Sequence, residues 1–394
     1  MERPRKLNLP ERFTGHELHA IASRFKDQLT RSMRGEQTDL GMFNSQLPSN
    51  LCHQEPPDGQ ALVVEVGGTN VYAAQYTFCK GKPSLKTHQS LPLESRTFDS
   101  AEDFYNSIIT PLGKVITSYH PDRLGIVYSF PGQSIPARDT IGVDMISDQS
   151  LSKGFIIPGI DEVPVGEALK KAMHSRYMLP LSTPSVVMND TVAVLFADQA
   201  QIGGVVGTGF NLAVAMSNGV FNTEAGQFRD IPLSEELQIF DGRSNNPGQR
   251  LAEKYISGLY LGGLFTWMQG EETMQKLMKR YGATDPTQVM SELLVDRDFK
   301  LPDFVVNAFS TAKMLRDRSA QLVGAIISGT ILAFPKEFTQ PIVHIPIEGS
   351  LFWKMPGYRE EVERVISVYS GKQIQFPEIK DAGRVGAARA ALLI

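Results

Sequence analysis

A chain of 394 residues is long enough for two domains of ordinary size, and 42% hydrophobic with 21% charged residues describes a globular protein. With 39 basic and 43 acidic residues the formal net charge is -4, and no long basic run points to nucleic acid or an anionic membrane surface. The two cysteines, Cys52 and Cys79, leave no room for a disulfide framework and lack zinc-type spacing.

The first residues, MERPRKLNLPERF, carry basic side chains with no apolar core behind them, so they do not read as a secretory signal. No apolar run approaches the roughly 18 residues of a membrane span. The expected setting is cytoplasmic, with no membrane and no nucleic-acid partner. Residues 15–35 place apolar side chains at helical spacing and predict a surface helix, which the turn-rich SNLCHQEPPDGQ ends. ALVVEVGGTNVYAAQYTF predicts a strand, a glycine turn and a second strand. RLGIVYSFPGQSI predicts a buried strand ending at Ser129-Phe130-Pro131, PVGEALKKAMHSRY a helix, and PSVVMND a strand with a polar end. The second half opens with VVGTGFNLAVA, which repeats the strand, glycine-threonine turn and strand of VEVGGTNVYAA. Two related α/β halves, each around one sheet, would give this repetition. NPGQRLAEKYISGLYLGGLFTWM and AKMLRDRSAQLVGAIISGTILAF predict long helices, QPIVHIPIEGSLF a strand and turn, and DAGRVGAARAALLI a C-terminal helix.

Asp190, in VVMNDTVAVL, is a carboxylate in apolar surroundings, which costs several kcal/mol unless something compensates it. Two readings stay open for it: a cap on the helix that follows, or an acceptor for the proton of an alcohol attacking a phosphate. Gly67, Gly68, Thr69 and Asn70 lie where a strand reverses. Glycines there let the backbone approach a ligand and aim N–H groups at an anion, although an ordinary hairpin uses the same residues. Gly207-Thr208-Gly209 supplies a second such turn, and two turns from different halves would grip successive phosphates of a nucleotide. A P-loop, a dinucleotide glycine motif, H-E-x-x-H and G-x-S-x-G are absent.

With these residues assembled, the chain resembles the eukaryotic-type hexokinase family over nearly its whole length. VVEVGGTNVYAA is similar to the family's first phosphate motif, L-D-x-G-G-T-N-F-R-V, and VVGTGFNLAV to the second. YSFPGQ resembles the S-F-P sugar motif, LSKGF resembles T-K-G-F, and VVMNDTVAVL resembles V-N-D-T-V-x-T-L. NTEAGQF is similar to N-x-E-W-G-x-F, and NPGQRLAEKYISGLYLGGL to the N-P-G helix with its E-K pair. IEGSLF and DAGRVGAARAAL resemble the adenosine-side segments D-G-S-x-Y and D-G-S-G-K-G-A-A. Each motif is short, and their common order along one chain is the specific signal.

The resemblance implies an α/β, two-domain actin-like ATPase (ribonuclease H-like) fold with a cleft between a small and a large domain. The small domain would take residues 58–188 with 381–394, and the large one 1–57 with 189–380. It implies ATP-dependent phosphorylation of glucose or a related hexose at its 6-hydroxyl, in a monomer or homodimer. Asp190 would be the general base and Lys153 would bind the sugar and stabilise developing charge. Ser129, Phe130, Ser152, Asn189, Asn211, Glu224 and Glu253 would contact the sugar, whose hydroxyls such polar groups select. Glu65, Gly67, Gly68, Thr69, Asn70, Gly207 and Thr208 would hold the phosphates, and Gly349, Ser350 and Gly383 the adenosine. Mg²⁺ would arrive with ATP, water-bound, without direct protein ligands and within water's reach of Glu65 or Asp190.

The chain also departs from the family pattern. Glu65 replaces an aspartate, Tyr72 replaces an arginine and so removes a positive charge, and Ala225 replaces a tryptophan that would wall the pocket. Ser152 replaces a threonine, and Leu315-Arg316-Asp317 replaces V-S-x before RSAQL. Because several departures fall on the nucleotide side, a non-catalytic sugar sensor or regulator on the same fold is the alternative expectation.

Overall fold

The computed structural model describes residues 12–118, 121–138, 142–148, 154–296 and 302–394. In chain order the strands are β1 (Phe43–Asn44), β2 (Gly59–Val66), β3 (Asn70–Cys79), β4 (Lys82–Pro92), β5 (Arg123–Tyr128), β6 (Gly132–Pro136) and β7 (Gly142–Ser147). They continue with β8 (Ser185–Met188), β9 (Ile202–Val206), β10 (Phe210–Met216), β11 (Gly219–Asn222), β12 (Ile342–His344), β13 (Ile347–Glu348) and β14 (Gln373–Gln375).

The first sheet runs β4-β3-β2-β5-β8-β7-β6, with β2, β5, β8 and β7 parallel at its centre. Parallel strands are covered on both faces and read as continuous apolar runs, as LVV, GIV and SVVM do. Side chains alternate across a strand. Leu62, Val64 and Val66 of β2 therefore face helices Ala101–Ile109 and Val165–Tyr177, while Ala61 and Val63 face helix Ala382–Leu393. The second sheet runs β1-β11-β10-β9-β13. Both glycine turns of the sequence repeat join antiparallel hairpins, β2 to β3 and β9 to β10.

Helix Gly15–Ser32 starts on a capping box of Thr14 and Glu17. It was predicted as a surface helix, but Leu18, Ile21, Phe25 and Leu29 are buried against the long helix Asp303–Ala333. The segment predicted as one helix from the N-P-G motif is two, Leu251–Ile256 and Gly258–Gln269. Ser257 between them is extended, with φ -71 and ψ 149, and the N–H of Gly258 donates to the carbonyl of Gly207 at 2.7 Å. A bond to the second glycine turn thus replaces a rung of the helix ladder.

Helices Asp190–Leu195 and Ala382–Leu393 pack on each other between the two sheets, sharing one core with Val63, Val127, Ala213 and Ala215. Their approach requires Gly386, because a Cβ there would overlap the carbonyl oxygen of Ala193. Gly386→Ala should therefore lower stability by about 1–3 kcal/mol, the usual cost of overpacking, read as a lower urea midpoint with an unchanged slope. Among the described residues no helix is long and apolar enough to cross a membrane.

Candidate active site

The β2–β3 turn is shaped by its own backbone. Gly67 N–H donates to the Asn70 carbonyl at 3.0 Å, Leu93 N–H to the Thr69 carbonyl at 2.7 Å, and the Arg96 guanidinium to the Gly68 carbonyl. Thr69 and Asn70 are exposed at its tip. The S-F-P segment lies alongside, since Ser129 N–H donates to the carbonyl of Val66 at 3.1 Å. Ser129 is half-buried, whereas the Phe130 ring is in the core, edge-on to Phe155 at 5.1 Å. Phe130 therefore supports the turn from behind. Ser152 and Lys153 lie outside the described residues.

Asn189 and Asp190 stand where β8 passes into helix Asp190–Leu195. Asn189 is the N-cap, and its Oδ1 accepts the Thr191 N–H at 3.0 Å. Asp190 is the first helical residue, and its Oδ1 accepts the Thr191 N–H at 2.7 Å and hydroxyl at 3.1 Å. Asn189 and Asp190 thus share the Thr191 N–H, and Asp190 is oriented through one oxygen while half-buried.

Around the β9–β10 turn the polar residues of the second half converge. Gly207 N–H donates to the Gly209 carbonyl at 3.0 Å, and Thr208 is exposed. Asn211 Oδ1 accepts the N–H of Leu212 at 2.8 Å and of Ala225 at 3.1 Å, while its amide donates to Asn222 at 2.8 Å and Glu224 at 3.4 Å. Asn222 in turn donates to Glu224 Oε1 at 2.8 Å, and Gln227 to Oε2 at 3.3 Å. Glu224 is held in the left-handed region, φ 52 and ψ 41. That conformation is uncommon for a residue with a Cβ and is retained where surroundings over-determine it. Glu253 flanks the same turn: its Oε1 lies 3.1 Å from where a Cβ on Gly209 would stand. Its Oε2 accepts from Arg250 at 2.6 Å. Lys254 next to it is fully buried, donating to Asp241 at 2.5 Å, Ser244 at 2.8 Å and the Asn246 carbonyl at 2.7 Å.

The IEGSLF segment closes against this turn. Gly349 has φ 137, and a Cβ on it would overlap the Val206 carbonyl, so only glycine fits. Ser350 is exposed at the start of helix Ser350–Lys354. Glu348 Oε2 accepts the N–H of Gly383 at 2.6 Å. Burial pushes the Glu348 carboxyl above its usual range, the Gly383 bond opposes this, and the charges of Glu65 and Asp190 raise it further. Glu65, Asp190, Glu348 and Gly383 are thereby one neighbourhood, joined to Gly207 through Gly349. Glu253 flanks Gly209 of the second turn, and Glu65 lies on β2 just before the first glycine turn.

Three contributors were not singled out in the sequence. Glu348 stands at the aspartate of D-G-S-x-Y, and Asn222 opens NTEAGQF; both could have been read from the motifs. Arg384 could not: it replaces a glycine of D-G-S-G-K-G-A-A, and donates to Glu65 Oε2 at 2.7 Å from 319 residues away. Its guanidinium lies 3.9 Å over the Tyr72 ring, so the charge expected to be missing at Tyr72 is supplied by another element. Burial works against that charge, but Glu65 and Asp381 outweigh it and hold Arg384 protonated. Two other departures among the described residues are accommodated locally. Ala225 is fully buried, and Arg316 bonds Asp317 at 2.5 Å and the carbonyl of Pro356.

For Mg²⁺-bound ATP the donor chemistry fits. Exposed Thr69, Asn70 and Thr208 crown two glycine turns, half-buried Asp190 opens the helix after β8, and Glu65 is bonded by Arg384. Among the described residues no group of three His, Cys, Asp or Glu is placed to grip a bare metal ion.

Two hexokinase family models match the chain, one over residues 5–200 and the other over 201–393. The hexokinase of Kluyveromyces lactis is 24% identical over 447 residues, covering 96% of this chain and 89% of that protein. Hexokinase-2, chloroplastic, of Nicotiana tabacum is 26% identical over 324 residues, covering 68% of this chain and 62% of that protein. The structure of hexokinase from Schistosoma mansoni complexed with glucose superposes with a TM-score of 0.72 at 20% identity, over 97% of this chain and 96% of that one. That likeness is one of fold, the mixed α/β, two-domain actin-like kinase arrangement. The two matches together span both halves, and the chain belongs to the hexokinase family, kinases that phosphorylate a hexose.

Proposed function

We propose that the protein transfers the γ-phosphate of ATP to the 6-hydroxyl of glucose or a closely related hexose, with Asp190 as the general base. The observation carrying this reading is the place of Asp190. Its backbone carbonyl lies 3.9 Å from where a Cβ on Gly383 would stand, within the neighbourhood of Glu348 and Glu65, and Asn189 shares the Thr191 N–H with it. Asp190 would accept the 6-hydroxyl proton as that oxygen bonds the γ-phosphorus and the bond to the β-phosphate oxygen breaks, leaving ADP. Asn211, Glu224 and Glu253, with Ser129, Ser152 and Asn189, would hold the sugar hydroxyls, and Lys153 would steady the developing charge. Gly67, Gly68, Thr69, Asn70, Gly207 and Thr208 would clasp the phosphates, with Gly349, Ser350 and Gly383 towards the adenosine. Mg²⁺ carried by ATP would neutralise phosphate charge.

The bodies proposed to close on the sugar are residues 58–188 with 381–394 and residues 1–57 with 189–380. Closure would exclude water, so ATP would be hydrolysed slowly without sugar. Glucose is favoured as the first substrate to test because the Schistosoma mansoni enzyme was solved with it. A coupled assay of ADP release with Mg²⁺, ATP and a panel of hexoses should show turnover orders of magnitude above the sugar-free rate with at least one hexose. Sugar binding by calorimetry with no sugar-dependent ADP release would overturn the kinase reading and favour a sensor.

A further inference from the structure

Arg384 stands in the first turn of helix Ala382–Leu393 with its side chain 15% exposed, and it is held from three sides. Nη1 donates to Glu65 at 2.7 Å, Nη2 reaches Asp381, and the guanidinium covers the Tyr72 ring at 3.9 Å. Glu65 and Tyr72 are directly opposite each other in the β2–β3 ladder, so one cation closes over both members of a cross-strand pair. Tyr72 is fixed in turn by stacking on His88 at 5.6 Å and 10°. Asp381 is in the left-handed region at φ 56, from which its carboxylate meets Arg384. The adjacent Gly383 N–H holds Glu348. Relative to the family pattern, an arginine has left strand β3 and another has appeared at a glycine of the facing helix, and both positions border Glu65.

A carboxylate beside a nucleotide's phosphates favours ATP that carries a metal and repels bare ATP, which has two more negative charges. A guanidinium bonded to that carboxylate cancels both effects. We propose that Arg384 is an internal counter-cation of the nucleotide site, holding Glu65 away from the metal's hydration shell and weakening the dependence of ATP binding on Mg²⁺. The proposal rests on the nucleotide-binding part of the kinase reading and concerns binding, not turnover.

The test is calorimetric titration of the full-length protein with ATP in EDTA and with ATP in excess Mg²⁺. Arg384→Met leaves Glu65 unpaired and should raise the preference for Mg²⁺-bound ATP by about tenfold or more. Glu65→Gln frees the guanidinium and should move the preference the other way. The double variant removes both charges and should return the ratio to within about threefold of the wild type. A clamp that merely ties helix to sheet would lower Tm in the single variants and leave the ratio unmoved, which would overturn the proposal, as would failure of the wild type to bind ATP in either form. Sugar-dependent turnover measured on the same samples separates the two claims. Shifted ratios without turnover sink the kinase reading alone, and turnover with unmoved ratios sinks this one alone.

Discussion

Replacing Asp190 with alanine is expected to lower sugar-dependent turnover by about 10²- to 10⁴-fold, the range a positioned general base supplies. Among the described residues the side chain accepts from Thr191 alone, its immediate neighbour, and the helix keeps its Asn189 cap, so the fold should tolerate the change. Sugar affinity should stay within a few-fold, because the proposed sugar contacts Asn211 and Glu224 are joined through Asn222 and Glu253 is bonded to Arg250, none of them through Asp190. The measurements are kcat by coupled assay and sugar Kd by calorimetry. A variant that keeps wild-type kcat would end the assignment of the base. A large loss of sugar affinity with unchanged kcat would make Asp190 a binding residue instead.

The largest expected effect on stability comes from Lys254. Its ammonium is fully buried, with all three donors taken by Asp241, Ser244 and the Asn246 carbonyl, and Asp241 also accepts the Gly248 N–H at 2.7 Å. Lys254→Met would strand Asp241 as a buried charge and should cost about 3–5 kcal/mol, far more than the pair itself contributes. Urea unfolding gives the magnitude. Asp241→Asn in the same background should recover part of it, since removing both charges avoids the stranded one. Because these bonds pin the loop 241–250 that leads into Glu253, sugar Kd should weaken in the single variant as well. A loss under about 1 kcal/mol would mean that water reaches the site and the pair is not truly desolvated.

The two hairpins, the strand-to-helix passage at Asp190 and the closing helix were all legible, because each rests on local rules: apolar alternation, glycine at a reversal, polar residues at a strand end. The residues expected to hold the sugar came only from motifs in order; what joins Asn211 to Glu224, through Asn222, is a matter of cross-strand register. The break at Ser257 escaped, since helical periodicity continues through it and the reason for it lies in Gly207, fifty positions earlier in a different element. Arg384 escaped for a related reason. Two substitutions that look like separate losses, an arginine from β3 and a glycine from the C-terminal segment, become one arrangement only when the helix is laid against the sheet.

That interruption at Ser257 has a mechanical meaning. Glu253 stands on the short helix before it, and Gly258, just beyond, hangs from the carbonyl of Gly207. On the proposed assignment, a sugar hydroxyl bonded to Glu253 would act beside the joint that ties Gly258 to the second glycine turn. By thermodynamic reciprocity, any effect of such a sugar on phosphate binding would then be matched by an equal effect of phosphate on sugar binding.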